Sequence, residues 1–168
     1  MPEMPEFMAE KGMVTGRIHS EDILKTANEI GRAKFGIENV AARFFRPYLY
    51  LDGAVISNAK LDVGRVEQVI ADGLTKMDGI ALAVASSGIR HMQDTPLLRA
   101  IRNNTHPERS GDIYVVQEPY WFLFDKGSIA VMHGTPWKYD TYVPIIFAGP
   151  GVGAKTIHRP VHPVDIAP

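Results

Sequence analysis

Apolar residues recur with a helical period in some stretches of this chain and gather into short runs in others, and that alternation gives the first picture of the fold. Ile23, Leu24, Ala27 and Ile30 lie at helical spacing, Ser20 offers an N-cap, Glu21 and Asp22 put negative charge at the positive helix end, and Gly36 supplies a stop. The pattern predicts a helix over residues 21–35. Residues 37–45 fit neither period cleanly. Pro47-Tyr48-Leu49-Tyr50-Leu51, the turn Asp52-Gly53 and Ala54-Val55-Ile56 read as two strand pieces around a tight turn. Asp62 caps a second predicted helix, in which Val63, Val66, Val69, Ile70 and Leu74 share one face, and Asp78-Gly79 turns it into a strand over residues 80–85. Helix, turn and strand then follow again: Asp94 or Thr95 as cap, Pro96 in the first turn, Leu97, Leu98 and Ile101 as the buried side, Asn103-Asn104 as exit, and a strand over residues 112–117.

This order predicts an α/β (α+β) fold in which residues 14–118 form a small ferredoxin-like split-βαβ subdomain, one sheet with two helices on one face. Residues 1–13 mix Met and Phe with Pro and Glu without a period and are expected to be a lead-in loop. Beyond 118, the turn Asp125-Lys126-Gly127-Ser128 precedes a histidine on a Gly-Thr-Pro turn and the apolar run of residues 142–147, which predicts a buried strand. At the end, Asp165-Ile166-Ala167-Pro168 reads as an N-cap and a first helical turn with no helix after it, which suggests a cut chain.

A chain of 168 residues is long enough for one sizeable domain. Its 18 Lys+Arg against 19 Asp+Glu, without blocks of one sign, offer no surface for a nucleic-acid backbone. The absence of cysteine removes disulfides and thiolate metal sites and leaves His, Asp and Glu as the strong metal ligands. No apolar run approaches the roughly 20 residues of a membrane span, and the first residues do not have the basic start and apolar centre of a signal peptide.

Most candidate motifs have simpler explanations. Residues 149–156, GPGVGAKT, approach a phosphate-binding loop but carry Ala154 at the second glycine, and Pro160 and Pro163 forbid the helix whose amides would hold phosphate. The same prolines keep His158 and His162 off a helix, and on an extended segment they lie about 13 Å apart, too far for one ion. His19, His91 and His106 stand among turn-forming neighbours. Ser86-Ser87-Gly88 lacks the flanks of a nucleophile elbow, and Asp52, Asp62, Asp78 and Asp94 are each accounted for by a turn or a cap. His133 stands out because it sits on a turn at the edge of an apolar run, with a side chain that can bind a metal.

Residues 133–151, HGTPWKYDTYVPIIFAGPG, together with Val164-Asp165-Ile166-Ala167-Pro168, resemble the C-terminal signature of the alkaline phosphatase superfamily. The strings H-G-[ST]-P-x-x-Y-D-x-x-V-P-x-x-F-x-G and D-I-A-P-T belong to its single-chain phosphatase/phosphodiesterase (nucleotide pyrophosphatase-like) branch, which uses a threonine nucleophile. Tyr48-Leu49-Tyr50-Leu51, the helix over 63–79, Thr95-Pro96-Leu97-Leu98-Arg99 and the segment 106–115 are similar to the small α/β subdomain of that branch. The resemblance implies that residues 119–168 are the C-terminal piece of a larger truncated sheet. It implies a site of two zinc ions in which His133 is one ligand, while Thr135, Tyr139 and Asp140 shape the turn and orient that ligand.

The nucleophile and the remaining ligands would precede Met1, so no catalytic residue is expected in this chain. The expected parent is a periplasmic or secreted zinc-dependent phosphomonoesterase or phosphodiesterase that acts on a small phosphate ester through a covalent phospho-threonine intermediate, and the fragment alone would be inactive. A free-standing ferredoxin-like binding module is the alternative. The sheet edge left open at residues 143–147 would favour self-association.

Overall fold

The computed structural model describes residues 4–125 and 131–166. Lys126, Gly127 and Ser128 of the expected turn lie outside the described residues, as do Ala167 and Pro168. Where a lead-in loop was expected, Pro5–Glu10 forms helix α1. Pro5 is in its first turn, where a fixed φ and a missing N–H cost nothing, and Glu6 is tied to Arg17 at 2.8 Å. Arg17–Ile18 is β1 and Ser20–Phe35 is α2. Ser20 is not the cap of α2: His19 holds that position, and the Ser20 N–H and hydroxyl donate instead to the two carboxylate oxygens of Asp125, at 3.0 and 3.3 Å. Gly36 ends α2 in the left-handed region, as its sequence position predicts.

Ala41–Phe45 (β2) and Tyr48–Leu51 (β3) form a hairpin about Arg46 and Pro47. The strand expected at residues 54–56 is helical: Gly53–Asn58 is α3, because an Asp52 carboxylate oxygen accepts from the amides of Ala54 and Val55 at 2.9 and 3.1 Å and so caps a helix. Val63–Leu74 is α4, capped by Asp62 through the Arg65 amide at 2.8 Å. Its buried face is Val66, Ile70 and Leu74, whereas Val63, in the first turn, is exposed. Ile80–Ala85 is β4, a 3-10 turn follows at Ile89–His91, and Pro96–Asn103 is α5, capped by Thr95. Ile113–Gln117 is β5, Phe122–Leu123 is β6, and Lys138–Thr141 is the one-turn helix α6.

The main sheet has the order β2-β3-β5-β4, antiparallel throughout. Since β5 runs antiparallel to both neighbours, β3 and β4 are parallel, and β3-α4-β4 is a βαβ unit split by β5. The expected split-βαβ architecture is present, with one of its strands supplied last in the chain. A separate parallel pair joins β1 to β6, Arg17 opposite Phe122 and Ile18 opposite Leu123.

Alternation along the strands sends side chains to two cores. Ile113 and Val115 face Ile23 and Ala27 of α2 and Ile70 and Leu74 of α4, while Tyr114 and Val116 face Leu98 and Ile101 of α5 and Ile89. The second core reaches Trp137, so the segment around His133 is anchored on the face opposite α2 and α4.

The strand expected at residues 143–147 does not form. Tyr142 and Ile146 are each 82% exposed and Phe147 is 65% exposed. Without a neighbouring strand to satisfy its amides and carbonyls, an apolar run gains nothing from strand geometry. Asp165 serves the residues before it, and Ala167 and Pro168 of the expected first turn lie outside the described residues. The Asp165 carboxylate accepts from the His162 amide at 2.8 Å and closes a 3-10 turn, Pro163–Asp165.

Candidate functional site

His133 is exposed, on a turn where Gly134 has φ +91°, a conformation that disfavours any residue with a Cβ. The backbone on either side of it is held by buried or half-buried groups. Met132 is buried, and the Arg46 guanidinium donates from Nη2 to the His133 carbonyl at 3.0 Å while Nη1 lies 3.7 Å from the Met132 sulfur. After the glycine, Thr135 is buried and its amide donates to Asp140 Oδ2 at 2.9 Å. The Trp137 amide donates to the Thr135 hydroxyl at 3.4 Å, and the indole Nε1 donates to the Gln117 carbonyl on β5 at 2.9 Å. The Tyr139 hydroxyl accepts from the Tyr120 amide at 3.2 Å, and the two rings stack with centroids 5.1 Å apart. The His133 carbonyl, the Thr135 amide and the Trp137 amide and indole of this turn are thus all hydrogen-bonded.

Thr135, Tyr139 and Asp140 thus meet in one hydrogen-bonded turn immediately after His133. Burial raises the Tyr139 phenol above its ordinary value, partly offset by its bonds to the Tyr120 amide and to Thr135. Asp140 Oδ1 is buried without a hydrogen-bond partner among the described residues, while Oδ2 accepts from the Thr135 amide. The carboxylate also acts at longer range on Arg46, whose guanidinium is pulled below its usual range by burial and back up by Asp140 and Tyr114.

Sequence reasoning passed over Arg46 because its bond to His133 spans 87 residues, beyond the reach of any local pattern. Trp137 carried a clearer signal, since a buried indole N–H needs an acceptor.

The donor set of this chain does not by itself make a metal site. Among the described residues no group of three His, Asp or Glu side chains converges, and a catalytic zinc ordinarily needs three protein ligands. His133 is a single accessible donor. The other histidines are not brought to it as partners: the His19 ring lies 3.5 Å from Asp125, the His106 ring nitrogen accepts from the Glu108 amide at 3.2 Å, and His91, His158 and His162 are exposed elsewhere in the chain. The Ser87 hydroxyl is engaged by Glu67, so it is not poised as a nucleophile.

The molecule is therefore a mixed α/β body that presents the exposed imidazole of His133 on an anchored turn. Comparison with solved structures gives that body a setting: it superimposes on wild-type alkaline phosphatase PafA with a TM-score of 0.71, at 24% identity, over 83% of this chain and 26% of that one. In sequence it is 27% identical over 164 residues to alkaline phosphatase PafA of Elizabethkingia meningoseptica, which covers 96% of this chain and 30% of that protein. It is 30% identical over 165 residues to a calcium-transporting ATPase of Myroides odoratus, covering 98% of this chain and 30% of that protein. No family model matches the chain. The chain spans about 30% of the length of these curated relatives, and the likenesses to proteins named alkaline phosphatase support the alkaline phosphatase superfamily.

Proposed function

We propose that this chain is the part of a phosphoric ester hydrolase of the alkaline phosphatase type that supplies one metal ligand, His133, and no nucleophile. The observation that carries the reading is the exposed imidazole on a turn whose backbone is hydrogen-bonded at His133, Thr135 and Trp137 and whose flanking Met132 and Trp137 side chains are held by Arg46 and by the Gln117 carbonyl, in a fold shared with an alkaline phosphatase. Rigid presentation of a neutral imidazole is what a metal ligand requires. The Thr135–Asp140 bond keeps the turn closed, and Tyr139 props it against Tyr120. In this reading His133 would hold one of two zinc ions together with residues outside the chain, and the ions would supply Lewis-acid stabilisation of the phosphoryl oxygens. A threonine outside the chain is the nucleophile and passes through a phospho-threonine intermediate, and the parent works in the periplasm or is secreted. The 168 residues alone would have little or no activity.

The test is His133→Ala in the complete parent. We expect loss of bound zinc and a fall in kcat/KM larger than the roughly 10–100-fold typical of residues that only support a ligand. A variant that kept its zinc and its turnover of a chromogenic phosphate monoester would refute the assignment.

A second reading comes from the relative named an ATPase, since cleavage of a phosphoanhydride and of a phosphoester both transfer a phosphoryl group to water. Rates of the parent on a monoester, a diester and ATP, compared side by side, separate the two. The phosphatase reading expects the esters to be cleaved at least as well as ATP.

A further inference from the structure

We propose that Arg46 is a positioning residue for His133: its guanidinium, carried on the turn between β2 and β3, holds the backbone of the histidine turn and so sets where the imidazole is presented. This inference rests on the reading of His133 as a metal ligand. The Arg46 side chain reaches across from the small sheet to a segment 87 residues later and donates to the carbonyl of the histidine itself, at 3.0 Å. Its other terminal nitrogen lies against the sulfur of buried Met132, at 3.7 Å. A Cβ built on Gly134 would lie 3.6 Å from Arg46 Nη2, so the guanidinium also covers the residue that follows the histidine.

Met132 and His133 are therefore both in contact with one planar cation, Gly134 lies beside it, and Asp140 holds the next residue, Thr135, through its amide. Among the described residues Arg46 forms no ion pair, so its hydrogen bonding is directed at this turn and not at a carboxylate. A half-buried guanidinium is costly to desolvate, and the bond to a carbonyl offsets that cost only while the turn keeps its position. Arg can serve two neighbouring positions at once because its fork is planar. Lys, a single point donor, can serve one.

The experiment uses the complete parent with Arg46→Met, which keeps the stem and removes the cation, and Arg46→Lys. Amide hydrogen exchange is followed at residues 132–135, with zinc retention against a chelator and kcat and KM measured on the same samples. For Arg46→Met we expect faster exchange at residues 132–135 with protection of β3 and β5 unchanged. We also expect zinc loss and a fall in kcat of about 10–100-fold, as for other residues that orient a metal ligand, with KM little altered. Arg46→Lys should recover part of both.

Unchanged exchange at the turn in Arg46→Met would overturn the clamp whatever the metal does. Faster exchange without any change in zinc retention or kcat would overturn the positioning role. If exchange responds as expected but His133→Ala keeps its zinc, the reading of His133 is what fails, and the positioning role falls with it. A global loss of protection in Arg46→Met would transfer the decision to Arg46→Lys, where a folded protein with wild-type exchange and wild-type zinc retention would overturn the proposal.

Discussion

At the scale of single residues, the turn that closes α4 onto β4 depends on the absence of one side chain. Gly79 has φ +82°, and a Cβ placed there would run into the Trp121 ring, while its carbonyl accepts the Glu118 amide at 2.6 Å. Gly79→Ala must both occupy the left-handed region and push the indole away, and should cost about 1–3 kcal/mol of stability by overpacking alone. Denaturant unfolding of the wild type and the variant measures it, and equal midpoints would refute it. The sequence marks Gly79 as a turn but not the indole that stacks on it, 42 positions downstream. The caps divide in the same way. Asp62 and Thr95 are readable because their acceptors serve amides three residues on, whereas Ser20 is drawn from its expected cap role by Asp125, a partner 105 residues away.

At the scale of elements, α4 carries a buried charge that its periodicity does not announce. Glu67 is only 4% exposed, and both the amide and the hydroxyl of Ser87 donate to Oε2, which ties the helix to the loop after β4. Burial raises its pKa above the ordinary carboxylate value, with Asp112 and Asp62 adding in the same direction and the Ser87 bonds opposing. The native state therefore holds this proton more tightly than the unfolded chain does. The resulting stability is fully present below the ordinary carboxylate pKa and is lost as pH rises through the raised value. Glu67→Gln, which keeps the shape and cannot ionise, should flatten that part of the pH dependence. Urea midpoints from about pH 4 to about pH 8 would show the wild type losing ground to the variant as pH rises, and parallel curves would contradict the assignment. Elements whose pattern is local, such as α2, α4, α5, β4 and β5, follow from periodicity and caps. Residues 54–56 do not, because β-branched Val55 and Ile56 favour a strand while Asp52 captures their backbone as a helix.

At the scale of the whole molecule, the chain divides into a packed body and an apolar segment with no core of its own. Among the described residues beyond Thr141, the large apolar side chains Tyr142, Val143, Ile146, Phe147, Val152 and Ile157 are each more than half exposed. Among the described residues past Tyr142, whose amide still bonds to the Lys138 carbonyl, backbone bonding is confined to short turns at residues 149–152 and 162–166. This is also why the sequence misleads here: residues 142–147 have the composition of a buried strand, but strand formation needs partners that this body does not offer. A segment with few buried contacts opens at little cost, so limited proteolysis of the 168-residue chain should cut first between residues 142 and 166. The fragment that remains should keep α2, α4 and the four-stranded sheet. Its melting temperature should stay within about 4 °C of the parent chain, since a change of less than roughly 1 kcal/mol moves Tm by no more than that in a domain of this size. In the complete protein the same segment should resist cleavage under the same conditions, because an exposed apolar surface of this extent calls for a covering surface. Mass spectrometry of the digests reads both outcomes. First cuts within α2 or the β2–β3 hairpin, or equal cleavage of residues 142–166 in the chain and the parent, would show that the division between body and segment is drawn in the wrong place.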